Sequence, residues 1–312
     1  MSYGKKSWNE WVLEDEELVF SLMKKAYDVG IRTFDTADMY SDGHSEILVG
    51  KFLKKYNIPR STIVILSKCY NKCDSDPSIE NTELNWINRW GLSRKHIFDA
   101  VEDSVKRLGT YIDVLQIHRL DRETSKEEIM EALHDVVKSG QVRYIGASSM
   151  RATEFAQLQF IAEKHNWTKF ISMQNFYNLV YREEEREMIP YCKETGVGLI
   201  PWSPVARGVL ARPVGEGSLR SSTDKFAKFL KLGHAKEDQE IINRVEEVAK
   251  KRGISMAQVA IAWTLSKGTA PIVGFNKLER IDEAVEAISI KLTDEEISYL
   301  EEPYIPHPVA GF

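Results

Sequence analysis

The chain has 312 residues, 43% of them apolar and 29% charged, with a formal net charge of −5. That composition is ordinary for a globular protein; the length is generous for one common domain, normal for an α/β barrel and sufficient to bury a large core. The mild, dispersed negative charge excludes a nucleic-acid or membrane-surface role, since both need a basic stripe.

The first dozen residues, "MSYGKKSWNEWV", lack the apolar core of a signal peptide. Next comes "EELVFSLMKKAYDVG", an amphipathic helix pattern closed by Gly30 and followed by the strand-like "IRTFDTA". The same unit recurs down the chain. "KHIFDAVEDSVKRLG" leads into "TYIDVLQIH", "KEEIMEALHDVVKSG" into "QVRYIGASS", and "REEEREMIPYCKETG" into "VGLIPWS". Gly30, Gly109, Gly140 and Gly196 stand where a left-handed C-cap ends each helix. The runs after them are apolar and β-branched, as strands buried on both faces are. Strands alternating with helices give parallel βαβ units.

The expected strand ends fall near Asp35, Lys68, His118, Ser148, Gln174, Trp202 and Gly274, seven in all. Lys51, Lys54 and Lys55 read as the solvated face of one helix. Two long insertions are expected as binding or lid segments, Tyr70 to Gly91 and the Gly-, Ser- and Pro-rich stretch after Trp202. No low-complexity linker divides the chain, so residues 1–312 read as a single domain.

Neither a G-x-G-x-x-G turn after a strand nor a phosphate-binding G-x-x-x-x-G-K-[ST] occurs. A doubly wound sheet with the usual dinucleotide fingerprint is therefore disfavoured, and a (β/α)8-type barrel fits better, with function at the C-terminal strand ends. Three cysteines, Cys69, Cys73 and Cys192, are too few and too scattered for a disulfide framework or zinc spacing. His44, His96 and His134 read as structural. No G-x-S-x-G elbow suggests a serine hydrolase. With no run of about 18 apolar residues and no lipidation or peroxisomal signal in the terminal "VAGF", the expected location is the cytoplasm.

Taken singly, the residues at the strand ends have plain explanations. Asp35 could serve a turn, Lys68 could be solvated, His118 could be a satisfied structural histidine, and Trp202 could be packing. Their coincidence on one rim suggests chemistry. A buried Lys68 needs a counter-ion, which Asp35 can supply. The Lys68 ammonium would lower the pKa of Tyr40, and Tyr40 with His118 would make a two-donor site for a carbonyl oxygen turning anionic.

With these residues in view, the sequence resembles the aldo-keto reductases, and within them the fungal aryl-alcohol-dehydrogenase-like branch. "GIRTFDTADMYSDGHSE", "VILSK" and "DVLQIHR" resemble the segments carrying that family's catalytic tetrad, which implies that role for Asp35, Tyr40, Lys68 and His118. Asp38 reads as a turn residue. "IGASSM", "SMQNFYN" and "LIPWSP" resemble the family's nicotinamide-binding strands. The resemblance implies that Ser148, Ser149 and Gln174 hold the carboxamide and that Trp202, followed by Ser203, stacks on the ring. "VGFNKLERIDEAV" resembles the adenosine 2′-phosphate motif, implying Asn276, Lys277 and Arg280 for that group. The implied activity is NADPH-dependent reduction of small aldehydes or ketones, aryl aldehydes foremost, with Tyr70, Trp86, Trp90 and Trp202 as candidate pocket aromatics. The family pattern begins with a hairpin and a first barrel strand, whereas this chain starts at "MSYG". The expectation is accordingly a barrel with seven of its eight strands. A cofactor-binding, catalytically impaired regulatory or truncated member is the alternative.

Overall fold

The computed structural model describes residues 1–73, 78–80, 82–224, 230 and 232–311. Parts of both long insertions thus lie outside the described residues. The chain divides into two compact units, one comprising residues 1–8 and 12–173, the other residues 9–11 and 174–311.

The first unit holds β1 (Thr33–Asp35), β2 (Val64–Cys69), β3 (Ile112–Ile117), β4 (Val142–Ser148) and β5 (Phe170–Gln174) up to Met173. Between them run α1 (Glu16–Asp28), α2 (His44–Lys55), α3 (Arg94–Leu108), α4 (Lys126–Lys138) and α5 (Ala152–His165). The expected helix stops are correct: Gly30, Gly109, Gly140 and Gly196 all have left-handed φ. Helix starts are set by side-chain caps, with Asp15, Ser93 and Ser125 accepting from backbone amides of α1, α3 and α4. The strands pair in parallel, β1 with β2, β2 with β3, and β3 with β4. Most residues of β2, β3 and β4 are buried, including Ile65, Leu66, Leu115, Ile117, Ile145 and Ala147, whereas β1 is only partly covered. The register sets Lys68 beside Gln116 and Gln116 beside Gly146.

A charged pair sits inside this unit. Glu46 of α2 is wholly buried, receives Arg107 Nε of α3 at 2.6 Å and accepts a hydrogen bond from the Ser67 hydroxyl. Gly43 is needed beside it: its φ is +80° and an added Cβ would stand 2.6 Å from Arg107 Cδ. Arg107→Met strands the Glu46 charge, so we expect a loss of roughly 3–5 kcal/mol in urea unfolding. A loss below about 1 kcal/mol, the range of an exposed pair, would show that Glu46 finds another partner.

The second unit holds the end of β5, β6 (Gly198–Leu199), and α6 (Met188–Thr195), α7 (Lys236–Arg252), α8 (Met256–Ser266), α9 (Glu279–Glu286) and α10 (Asp294–Glu301). The expectation of seven strands is corrected here, since the described residues form six. The last expected strand, at Pro271 to Val273, is reduced to one parallel bridge between Trp202 and Ile272. Pro271 and Pro201 explain it: each lacks the N–H that a ladder needs, so pairing is limited to single bonds such as Ile272 N to Pro201 O at 2.8 Å. No helix among the described residues is long and apolar enough to cross a membrane.

Candidate active site

In the first unit, the loop after β1 and the ends of β2 and β3 bring Asp35, Tyr40, Lys68 and His118 together. Lys68 lies on β2 with its side chain fully enclosed, and Nζ donates to Asp35 Oδ2 at 2.7 Å and to the Thr36 carbonyl at 2.9 Å. Nζ is also 5.0 Å from the centre of the Tyr40 ring. His118 meets the same phenol edge-on, with ring centroids 5.7 Å apart at 81°. The backbone sets this up, because the parallel pairing continues past the formal strand ends. Asp38 N reaches Lys68 O at 3.2 Å and His118 N reaches Cys69 O at 2.9 Å.

The electrostatics follow from burial. It opposes the charge on Lys68, yet the Asp35 and Tyr40 side chains outweigh it and hold the ammonium pKa above its ordinary value. Burial raises the Tyr40 pKa, and Lys68 offsets only part of that rise. The expectation that Lys68 lowers the phenol pKa is thus corrected: the pull is present, but desolvation is larger. His118 is driven well below its ordinary pKa by burial, then by the Lys68 and Arg119 charges, so its imidazole is neutral at neutral pH. The Asn71 amide nitrogen lies 3.4 Å from His118 Nδ1. With the amide donating, Nδ1 is the acceptor and Nε2 carries the proton.

Three contributors escaped the sequence reading. Gln116 Nε2 donates to Asp35 Oδ1 at 3.2 Å, so Asp35 is held from two sides. Its signal was available, because Gln116 precedes His118 by two residues and strand side chains alternate with a period of two. Asn71 and Trp8, whose ring lies 6.0 Å from that of Tyr40, carry no comparable periodic mark. Of the pocket aromatics, Tyr70 and Trp90 meet edge-on at 6.1 Å, Trp90 is exposed, and Trp86 is buried with Arg89 over its ring. Asp38 is 1% exposed. It does serve a turn, as Oδ1 accepts from Met39 N at 2.6 Å.

Ser148 and Ser149 are buried at the end of β4, and Ser149 takes a left-handed φ of 40°. In the second unit, Gln174 is buried and Trp202 stacks on Phe176 at 4.3 Å, which occupies one face of the indole. Ser203 is left-handed, and its carbonyl accepts from Asn178 Nδ2 at 3.1 Å. Asn276, Lys277 and Arg280 are all exposed at the start of α9. The Arg280 guanidinium pairs with Glu283 at 2.6 Å. An exposed pair of this kind is worth at most about 1 kcal/mol, so the guanidinium can be drawn to a better anion. This donor set, two cations and an amide at a helix N-terminus, fits a phosphate.

Residues 1–305 match the model of the aldo/keto reductase family. The chain is 60% identical to a candidate aryl-alcohol dehydrogenase of Schizosaccharomyces pombe, over 100% of this chain and 92% of that protein. It is also 60% identical to the versiconal hemiacetal acetate reductase of Aspergillus parasiticus, over 99% of this chain and 93% of that protein. Identity to a candidate aryl-alcohol dehydrogenase of Saccharomyces cerevisiae is 55%, over 98% and 92% of the two chains.

Proposed function

The chain belongs to the aldo/keto reductase family, and from that premise we propose that it is an NADPH-dependent reductase of aldehydes and ketones, aryl aldehydes foremost, built on a (β/α)8-type barrel. The observation that supports this best is the enclosed Lys68 ammonium, bound to Asp35 at 2.7 Å, with the Tyr40 ring beside it and His118 edge-on to that ring. The names of the relatives, a reductase and two alcohol dehydrogenases, are consistent with it.

The bound cofactor supplies the hydride that reaches the carbonyl carbon. As that bond forms, charge builds on the carbonyl oxygen. The Tyr40 hydroxyl gives it a proton, and His118 Nε2–H donates a hydrogen bond that orients the carbonyl and steadies the developing anion. A neutral His118 suits this role, because it donates without competing as the acid. Lys68 tunes the Tyr40 phenol, and Asp35, braced by Gln116, holds Lys68. Ser148, Ser149, Gln174, Trp202 and Ser203 are assigned to the nicotinamide end, and Asn276, Lys277 and Arg280 to the 2′-phosphate. The test is direct. The purified chain is incubated with NADPH and a panel of aryl and alkyl aldehydes, and loss of the reduced-nicotinamide absorbance is followed. Cofactor binding without turnover of any aldehyde would favour the non-enzymatic alternative.

Cofactor choice gives a separate expectation. An arginine fork binds a phosphate through two parallel, charge-assisted bonds. Arg280→Ala is expected to weaken NADPH roughly tenfold or more, since such bonds are worth about 1.5–3 kcal/mol. NADH, which lacks the 2′-phosphate, should change little. Equal losses for both cofactors, measured by tryptophan fluorescence titration, would remove Arg280 from the phosphate site.

A further inference from the structure

Arg119 follows His118 just past the end of β3, and the reduction chemistry proposed above gives it no part. Its side chain is partly buried, and Nη1 donates to the His118 carbonyl at 2.5 Å. Among the described residues that is its one hydrogen bond, and no carboxylate pairs with it. Nε and Nη2 thus have no protein acceptor. Neither is among the enclosed polar atoms that lack a partner, so both keep surface open to solvent.

The carboxylates nearby are engaged elsewhere. Asp121 accepts from the Leu92, Glu123 and Thr124 amides and from the Thr124 hydroxyl. Glu154 holds Arg122 through two bonds, at 2.7 and 3.0 Å. Asp35 is taken by Lys68 and Gln116. Burial is the largest influence on the Arg119 charge and opposes it, and the groups that favour it are the phenols of Tyr40 and Tyr70. Burial holds both phenols above their ordinary pKa, so at neutral pH they are uncharged and supply no counter-ion. Arg119 is therefore a partly desolvated cation beside the tetrad on which no carboxylate acts, and an anion reaching it from solvent would relieve that cost.

Its surroundings define the anion. The Arg119 charge bears on Tyr40 and His118, the two groups that receive the carbonyl, and also on Tyr70. Tyr70 meets Trp90 edge-on at 6.1 Å, and Trp90 is 47% exposed, so this pair offers aromatic surface to an apolar body. The edge formed by Nε and Nη2 is a planar fork that matches the two oxygens of a carboxylate, and a single positive charge suits a monoanion. We propose that Arg119 selects carbonyl substrates that carry a carboxylate, aromatic aldehyde acids foremost, with the carbonyl at Tyr40 and His118 and the carboxylate on the free edge of the guanidinium. This rests on the reductase reading and adds the substrate class to it.

The probes are 3- and 4-carboxybenzaldehyde, each compared with its methyl ester in NADPH-dependent reduction by the full chain. An ester withdraws electrons more strongly than a carboxylate, so chemistry alone favours the esters. The expected result is that at least one acid exceeds its ester roughly tenfold or more in kcat/KM, the worth of a charge-assisted hydrogen bond. The difference should lie mainly in KM, because the carboxylate is bound alike before and during hydride transfer. Arg119→Leu should bring the acid-to-ester ratio to about one or below, and Arg119→Lys, which keeps the charge and loses the fork, should leave it in between. The ratio is the readout because Arg119 also bears on His118 and Tyr40, and both substrates share that chemical step. Far-ultraviolet circular dichroism melts establish that the variants fold, and Arg119→Gln stands in if Arg119→Leu does not. Turnover of acids and esters with no preference for either acid, or a preference unchanged by the Arg119 variants, would overturn the assignment of Arg119 and leave the reductase reading standing. Cofactor binding with no turnover of acids or esters would overturn that reading, and the role of Arg119 with it.

Discussion

Tyr40→Phe is expected to fold normally, to bind NADPH nearly as tightly as the parent, and to reduce its carbonyl substrate roughly 10²–10⁴-fold more slowly. The phenol ring is 8% exposed and packs against Trp8 and His118, and phenylalanine keeps that ring while removing only the hydroxyl. The proton that Tyr40 gives is needed only as charge appears on the carbonyl oxygen. Its loss therefore falls on kcat and on kcat/KM together, with little change in ground-state binding. The pH dependence has a definite sign. Tyr40 acts as an acid, so reduction is full below the phenol pKa and falls as pH rises through it. Because burial holds that pKa above its ordinary value, the rate should stay flat across neutral pH. His118 adds no inflection there, since its pKa lies well below neutrality. A Tyr40→Phe variant that kept near-parent kcat with a substrate limited by hydride transfer would remove Tyr40 from the reaction.

Much of this arrangement was legible in the sequence because it rests on local rules. A glycine closes a helix whatever surrounds it, so Gly109 and Gly196 marked helix ends, and the polar residue closing each apolar run marked the rim. Asp35, Lys68 and His118 were found that way, and the first unit brings them together with Tyr40. What stayed hidden depends on distance or on competing terms. Arg107 and Glu46 are far apart in the chain, and nothing in either neighbourhood announces that they meet. The sign of the Tyr40 shift could not be read from a nearby lysine alone, because it depends on how deeply the phenol is buried. The shortness of β6 was visible in principle, as Pro201 follows it closely, but its apolar run outweighed the missing N–H in the reading. Asp38 shows the same limit. A polar loop predicts an exposed turn, and only the fold reveals a carboxyl enclosed and half satisfied.

Lys68→Met should be about as damaging to turnover as the loss of the Tyr40 hydroxyl, and the reasons can be separated. Lys68 lowers the phenol pKa against the pull of burial. Without the ammonium, that pKa climbs further from the working pH and Tyr40 becomes a weaker acid, so the rate falls at every pH and the basic limb of the profile moves upward. The second effect is structural. Asp35 loses its 2.7 Å partner and keeps Gln116 at 3.2 Å, so it is left as a poorly paired buried carboxylate. Removing one member of such a pair costs roughly 3–5 kcal/mol, some of which Asp35 can recover by taking a proton. The double variant Asp35→Asn, Lys68→Met distinguishes the two. It replaces the stranded charge with a neutral amide and should regain much of the stability lost by the single variant, as read in urea unfolding. It cannot restore a positive charge beside Tyr40, so its activity should stay roughly 10²-fold or more below the parent. Recovery of activity along with stability would make Lys68 a structural counter-ion to Asp35, and the tuning of Tyr40 would need another source.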